Sequence, residues 1–338
     1  MEQADRNAIK AFFQHGFEQH SESGVHAVGD CIFCGSEKKF YINVKLQKWD
    51  CKKCGKSGGF QTFLKEIVDL CWGNFTFKKA KELSEIKGIS IKTLRKHKVG
   101  YNLYTENYIL PVFDANSEKV WDIRIYNNKK FMSTKGCSVG LYGWEQLHEE
   151  YDTIWLCEGE WDGIALDEAL GKTKNLILSA PGANTFKAEW QVFFEGKNVR
   201  VLYDNDEAGK QGSLKVFNAL KSTAKSLIFV HWEGTRDDGY DFRDLYIEED
   251  NHALEIISGL MKNYPPGLDI SKDQPTKKRK GKGLHHSEAY KRYQKWLYLP
   301  STDVLDILYG TIIGNRLEGD PLWLFLVAES GGSKTELL

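Results

Sequence analysis

Asp204 and Asp206 stand two positions apart in LYDNDEAG, after the apolar run NVRVLY and before a helix-forming stretch. In extended backbone such alternate residues point to the same side. Two like charges that close repel each other unless a cation sits between them. Glu158 holds a similar place after TIWLC, and Asp241 lies in GYDFRDLY shortly after SLIFVHW. Carboxylates at the ends of apolar runs can hold one or two Mg(II) or Mn(II) ions, because hard cations take oxygen ligands and keep waters that substrate phosphates replace. Metal so held activates an attacking hydroxyl and stabilises a leaving pyrophosphate. Acids at such places also cap helices, and Asp162 and Glu207, each in the first turn of an expected helix, fit that role.

The cysteines point to a second metal. Cys31 and Cys34 in CIFC, and Cys51 and Cys54 in CKKC, form two C-x-x-C pairs with sixteen residues between, each followed by a glycine, Gly35 or Gly55. Four thiolates so spaced suit one tetrahedral Zn(II), with KKFYINV and QKWD as the short strands of a ribbon. For a piece this small, metal binding stabilises the fold by roughly 10 kcal/mol or more. Two disulfides or four free thiols are the alternative, which an odd total of seven cysteines and the lack of a secretion signal disfavour. Cys71, Cys137 and Cys157 read as small buried apolar groups.

Elements must bring these groups together. From residue 152, TIWLC, NLILSA, NVRVLY and SLIFVHW are continuous apolar runs of the kind buried on both faces of a parallel sheet. DGIALDEALG and EAGKQGSLKVFNALKSTA fit as crossover helices. Such sheets bind ligands in the crevice beyond their strands' carboxyl ends, where the four acids fall. Upstream, YILPVFD, VWDIRIY and KKFMST alternate as strands do, with Asn127-Asn128 as a turn. They and the residues after them carry Arg124, Lys129, Lys130 and Lys135, either a solvated face or a grip on phosphates. SGGFQTFLKEIVDLCW reads as a glycine turn entering a helix. FKKAKELSEIKG and ISIKTLRKHKVGY read as two basic helices broken at Gly88, with Ser90 capping the second. A helix-turn-helix that reads bases is one use of such a pair.

At 338 residues, 41% apolar and 28% charged, the chain is long enough for two or three domains. It has no run of roughly 18 uncharged apolar residues and no signal peptide at its start, so the expected location is the cytosol. The net charge of -1 hides seven lysines against Glu37 and Asp50 between Cys31 and Lys56, so any nucleic-acid contact is patchwise. Residues 264–292, rich in Pro, Gly and Lys, read as a linker whose KKRKGK core is either solvated or holds a nucleic-acid backbone. PLWLFLVAESGGSKTELL then reads as a strand entering a glycine turn with Lys334 and Thr335, similar to the phosphate-binding loop G-x-x-x-x-G-K-S/T, although Ala328 and Ser333 replace two of its glycines. The chain stops three residues after Thr335, before any strand that would supply the Mg(II)-binding acid of an ATPase. These residues are therefore expected to be the front of a longer protein with a nucleotide-driven motor.

CEGEWDG followed about forty-five residues later by YDNDEAG resembles the TOPRIM domain of primases, type I and II topoisomerases and some nucleases. The order of zinc ribbon, GISIKTLRKHKVGY, the β-rich stretch and the acids, with DFRDL as a third acidic motif, resembles DnaG-type bacterial primases and bacteriophage primase-helicases over residues 25–250. The fold so implied is multidomain α/β. A zinc-ribbon template-binding domain spans 1–75 and a mixed α+β basic lobe spans 76–150. A TOPRIM catalytic domain, a Rossmann-like parallel sheet with helices on both faces, spans 151–262. A basic linker (263–295) and the start of a P-loop domain (296–338) follow. The resemblance implies that Glu158 is the catalytic acidic residue and that Asp204, Asp206 and Asp241 hold Mg(II) or Mn(II). Arg124, Lys130, Lys135 and, less closely matched, Lys129 grip nucleotide and template, and the zinc ribbon reads the template's start with its lysines on phosphates and either Trp49 or His26 on bases, although a Trp beside a zinc knuckle more often simply packs there. Glu160 receives no role. The implied activity is synthesis of RNA primers on single-stranded DNA from nucleoside triphosphates, with a replicative helicase as partner. A TOPRIM nuclease and a non-catalytic module that loads a helicase onto single strands are the alternatives.

Overall fold

The computed structural model describes residues 9–114, 119–147, 151–232 and 238–266, with isolated helical positions at 291, 303, 306, 307 and 311. Residues 1–268 make one compact unit and 269–338 a second. Lys334 and Thr335 lie outside the described residues, as does nearly all of the expected linker and P-loop region. No helix among the described residues is long and apolar enough to cross a membrane.

A short helix, α1 (Lys10–Gln14), leads into an antiparallel sheet whose strands follow chain order: β1 (Gln19–Ser23), β2 (His26–Gly29), β3 (Phe40–Asn43), β4 (Lys48–Cys51) and β5 (Ser57–Gly58). The strands expected in KKFYINV and QKWD are β3 and β4, with Ile42 opposite Trp49. Strand β1 carries no apolar signal of its own, and four of its five residues are exposed. Helix α2 (Phe60–Asn74) follows the glycine turn and buries Phe63, Leu64, Ile67, Val68 and Cys71, one stripe of its surface.

The basic helices are α3 (Phe77–Lys87) and α4 (Ile91–Lys96). Gly88 ends α3 in the left-handed region at φ 65°, a conformation that favours glycine. Ser90 caps α4 by accepting the Thr93 N–H. Four antiparallel strands then pair in sequence order: β6 (Gly100–Asn102), β7 (Asn107–Phe113), β8 (Val120–Tyr126) and β9 (Phe131–Ser133). Asn127 turns the last pair by accepting the N–H groups of Lys129 and Lys130. Side chains alternate across a strand. Ile109 and Ile123, with Val120 brought to the same side by a bulge in the β7–β8 pairing, join the core shared with α2 and the cysteine-bearing sheet, while Leu110, Val112 and Tyr126 join the core of the domain that follows.

That domain is a sheet in the order β11-β10-β12-β13-β14. β10 (Thr153–Cys157), β11 (Asn175–Ser179), β12 (Asn198–Leu202) and β13 (Ser226–Val230) are parallel, and β14 (Met261–Lys262) adds an antiparallel edge. Its helices are α5 (Glu160–Leu170), α6 (Glu207–Leu220), α7 (Phe242–Glu249) and α8 (Ala253–Gly259). Two 3-10 turns, Ala183–Thr185 and Ala188–Phe194, stand where a crossover helix would link β11 to β12. α5 packs with α7 and α8, and α6 with the 3-10 turns. Right-handed crossovers place these two groups on opposite faces. β10 is followed by β11 on one side and pairs with β12 on the other, so the strand order reverses between β10 and β12. Glu158 and Asp204 stand at the ends of those two strands.

Candidate active site and metal centres

The four cysteine sulfurs of CIFC and CKKC lie within 4.8 Å of one another, with Cys31 to Cys54 at 4.0 Å and Cys34 to Cys51 at 3.8 Å. Tetrahedral zinc with bonds of about 2.3 Å needs sulfurs about 3.8 Å apart, so the set fits structural zinc. Twin turns build it. Gly35 and Gly55 sit at φ 71° and 74° and donate N–H bonds to the carbonyls of Cys31 and Cys51. All seven cysteines are free thiols. Cys71 and Cys157 are fully buried as expected, while Cys137 is half-buried.

Of the two roles open to Trp49, a base contact or packing, the structure shows packing. It is 2% exposed, stacks on Phe40 and donates its indole N–H to the Gly59 carbonyl at 3.0 Å. It belongs to the ribbon's core. His26, half-buried, lines a surface hollow with Lys48 and Asp50.

The acids converge at the strand-order reversal. The Glu158 carboxylate accepts the Asp204 N–H at 3.2 Å, which joins the ends of β10 and β12. Asn205 pairs with Tyr240 in an antiparallel bridge that brings Asp241 beside the Asp204-Asp206 segment. Gly209 admits α6 to this corner, since a Cβ there would fall 2.2 Å from the Asp204 carbonyl oxygen. Asp206 caps α6 by accepting the Gly209 N–H at 2.6 Å, and Asp241 caps α7 through the Asp244 N–H at 2.7 Å. Each cap uses one carboxylate oxygen, so capping and metal binding are compatible in the same residue.

Asp162 joins the cluster, which the sequence did not lead one to expect. It lies in the first turn of α5, but its carboxylate accepts the N–H of Arg243, a first-turn residue of α7. It is 6% exposed, and burial, then Asp241, pushes its carboxyl well above the usual range. Burial, then Asp162, Glu158, Asp241 and Asp206, pushes Asp204 up to about 10. Burial raises Glu158 to about 7, with Asp206 and Asp241 adding to it. Among the described residues one cation ion-pairs with the group: Arg243 Nη2 lies 3.4 Å from Asp241 and 3.2 Å from Asp244. Such stacked negative charge fits a divalent cation. Among the described residues only the four cysteines bring their ligand atoms within 4.8 Å of one another. The acids therefore suit an ion held by one or two carboxylates and completed by water, the habit of Mg(II).

The basic lobe docks on this corner, and Arg124 is the joint. Arg124 is 6% exposed. Its Nε donates to Glu160, and its Nη1 donates to Ser133 Oγ at 2.7 Å. This corrects the picture of Arg124 as an open grip on phosphate, because its guanidinium is committed inside the protein. It also gives Glu160 a role, two residues beyond Glu158. Lys129, Lys130 and Lys135 are exposed. Lys87, unnoticed in the sequence, is buried. Its Nζ donates to the Tyr126 hydroxyl at 2.6 Å and lies over the Trp161 ring, and burial, then Arg243, lowers it to about 8. The signal available for these residues was the density of charge in EGEWD and DFRD. α4 is not a free reading helix: Ser90 bonds to Glu168 and His97 to Asp167, both on α5.

Residues 155–242 match the Toprim-like family, and this stretch is a Toprim-like domain. No curated protein sequence matches the chain. Among solved structures the chain is similar to the zinc-binding and RNA polymerase domains of the Aquifex aeolicus primase (17% identity, 78% of this chain and 86% of that one, TM-score 0.44). It is similar to the primase fragment of the bacteriophage T7 primase-helicase (16% identity, 69% and 99%, TM-score 0.44). It is also similar to the DnaG primase catalytic domain bound to single-stranded DNA (18% identity, 59% and 80%, TM-score 0.48).

Proposed function

We propose that this chain is a DNA primase, a nucleotidyltransferase that joins ribonucleotides on a single-stranded DNA template. The observation that carries the reading is a carboxylate cluster in a Toprim-like domain, docked through Arg124–Glu160 on a lysine-bearing lobe that shares its other core with a four-cysteine ribbon. Of Glu158, Asp204, Asp206 and Asp241, one or two at a time would hold Mg(II) or Mn(II) with water completing the shell, and the ion when bound would supply positive charge beside the attacking 3′-hydroxyl and the departing pyrophosphate. Glu158, whose carboxyl burial raises to about 7 in the metal-free protein, is the acid placed to accept the proton that leaves the hydroxyl. Lys129, Lys130 and Lys135 hold the phosphates of nucleotide and template, and the bond from the 3′-oxygen to the α-phosphorus forms as pyrophosphate departs. Positioning and fixed charge supply most of the rate. The ribbon meets the template's start, and Arg243 and Asp162 keep the acids in place. A replicative helicase, the phosphate-binding role of Lys334 and Thr335, and a cytosolic location belong to the same proposal.

Incubated with single-stranded DNA of varied sequence, ribonucleoside triphosphates and Mg(II), the protein is expected to make short RNA oligomers. Asp204→Asn is expected to make none while keeping its fold. Metal-dependent cutting of the DNA without nucleotides would support the nuclease reading instead. Tight, salt-sensitive binding of single strands without synthesis would support the loading module.

A further inference from the structure

A cleft of about 810 Å³ opens between α2, the end of α4 and the β7–β8 pair, and none of the clustered carboxylates lines it. Lys65 and Trp72 face it from α2, Arg95 from α4, Lys98 from just beyond, and Phe113 and Lys119 from the ends of the strand pair. Lys96 also lines it while bonding to Asp167, and Asp69 is the one acid among the lining residues.

Pairing separates these cations from several neighbouring ones on the ribbon and on α3. Lys52, Lys56, Lys79 and Lys81 each hold a carboxylate, Asp50, Glu66, Glu82 and Glu85 in turn. Lys65, Arg95, Lys98 and Lys119 form no ion pair among the described residues; Lys98 instead lies over the Phe113 ring at 4.6 Å. Like charges gathered in a hollow repel one another, and the low-dielectric walls focus their field on whatever anion enters. Trp72 is 41% exposed at the same cleft, so an indole face stands among the cations. Cations that follow a phosphate backbone, with an open aromatic face for a base, make a site for single-stranded nucleic acid. A duplex keeps its bases stacked and has none to offer the indole, and a lone nucleotide would leave most of the cations unmatched.

We propose that this cleft binds single-stranded DNA, with phosphates on Lys65, Arg95, Lys98 and Lys119 and a base stacked on Trp72. That the strand is the template outside the copied stretch rests on the primase reading. The binding itself does not.

The test is fluorescence anisotropy of a labelled oligodeoxythymidylate with the full chain across a salt series. Trp72→Ala is expected to weaken binding roughly tenfold, and Trp72→Phe, which keeps a ring, to retain most of it. Lys65→Ala with Lys119→Ala is expected to lower the slope of log affinity against log salt by about 1.4, two phosphate contacts at about 0.7 each. All these side chains except the indole are simple surface cations, and Trp72→Phe guards against a folding defect at that position. Wild-type affinity and slope in every variant would overturn the proposal. So would a duplex or a free nucleoside triphosphate whose binding falls as much with the same substitutions. Primer synthesis on the same preparations separates the two readings. Primers made while the variants bind like wild type remove the cleft alone; no primers from the wild type while Trp72→Ala loses the strand removes the primase and keeps the cleft.

Discussion

Asp204 illustrates how much one carboxyl depends on what surrounds it. Buried among four other acids, it stays protonated at neutral pH in the absence of a cation, since its carboxyl lies near 10. Metal binding must displace that proton. Adding Mg(II) or Mn(II) to the protein in weak buffer at pH 7 is therefore expected to release protons, and Asp204→Asn to release markedly fewer, as a pH electrode would record. Arg124 and Glu160 make the opposite case, a buried charge with its partner in place. Arg124→Ala leaves Glu160, 3% exposed, without a counter-charge, and is expected to destabilise the protein by about 3–5 kcal/mol. Arg124→Met with Glu160→Leu should recover most of that in urea denaturation. An Arg124 that only gripped phosphate would lose activity and leave stability unchanged. The sequence named Arg124 but not its partner, because the alternation in DIRIY reads as an apolar face and a polar, solvated one. Asp122 and Arg124 are buried nonetheless, because the Toprim-like domain covers the second face.

Elements were the most legible level. The glycine after each C-x-x-C pair, the cap at Ser90 and the apolar runs of β10 to β13 each follow from local chemistry that needs no distant partner. The ribbon is the element most dependent on an ion, because β3 and β4 are four residues each and flank the cysteines. Its apolar residues Phe40, Ile42 and Trp49 share a core with α2, Ile109 and Ile123. Removing zinc with a chelator is thus expected to expose Trp49, seen as a red shift in its emission. It should also lower hydrogen-exchange protection in α2 and β8, beyond the ribbon itself. Cys51→Ser should do the same without a chelator. Helix α4 shows where local reading ends: its basic sequence suits a free DNA-reading helix, yet Glu168 holds its first turn.

At the scale of the molecule, the ribbon is sewn to the basic lobe through His15. Its Nε2 lies 3.0 Å from Thr134 Oγ1, its carbonyl accepts from Asn102, and neighbouring Gln14 accepts the Lys135 N–H. Burial lowers the imidazole to about 3 from an ordinary 6.5. The folded state therefore keeps His15 neutral where the unfolded chain takes up a proton, so its stability is intact above pH 6.5 and falls by about 1.4 kcal/mol per unit as pH drops toward 3. Urea midpoints at pH 7 and pH 5 should differ accordingly, and His15→Asn should shrink the difference. By itself the sequence determined the four-cysteine set that fits zinc, the parallel sheet and the acids at its strand ends, because thiolate spacing, apolar runs and capping act over a few residues. Only the tertiary structure decided that Asp162 faces the acids, that Trp49 is core, that Arg124 is a joint and that Lys65, Arg95, Lys98, Lys119 and Trp72 share one cleft. Those outcomes depend on which faces meet across scores of residues, and a side chain's charge state and exposure are set by the neighbour that covers it.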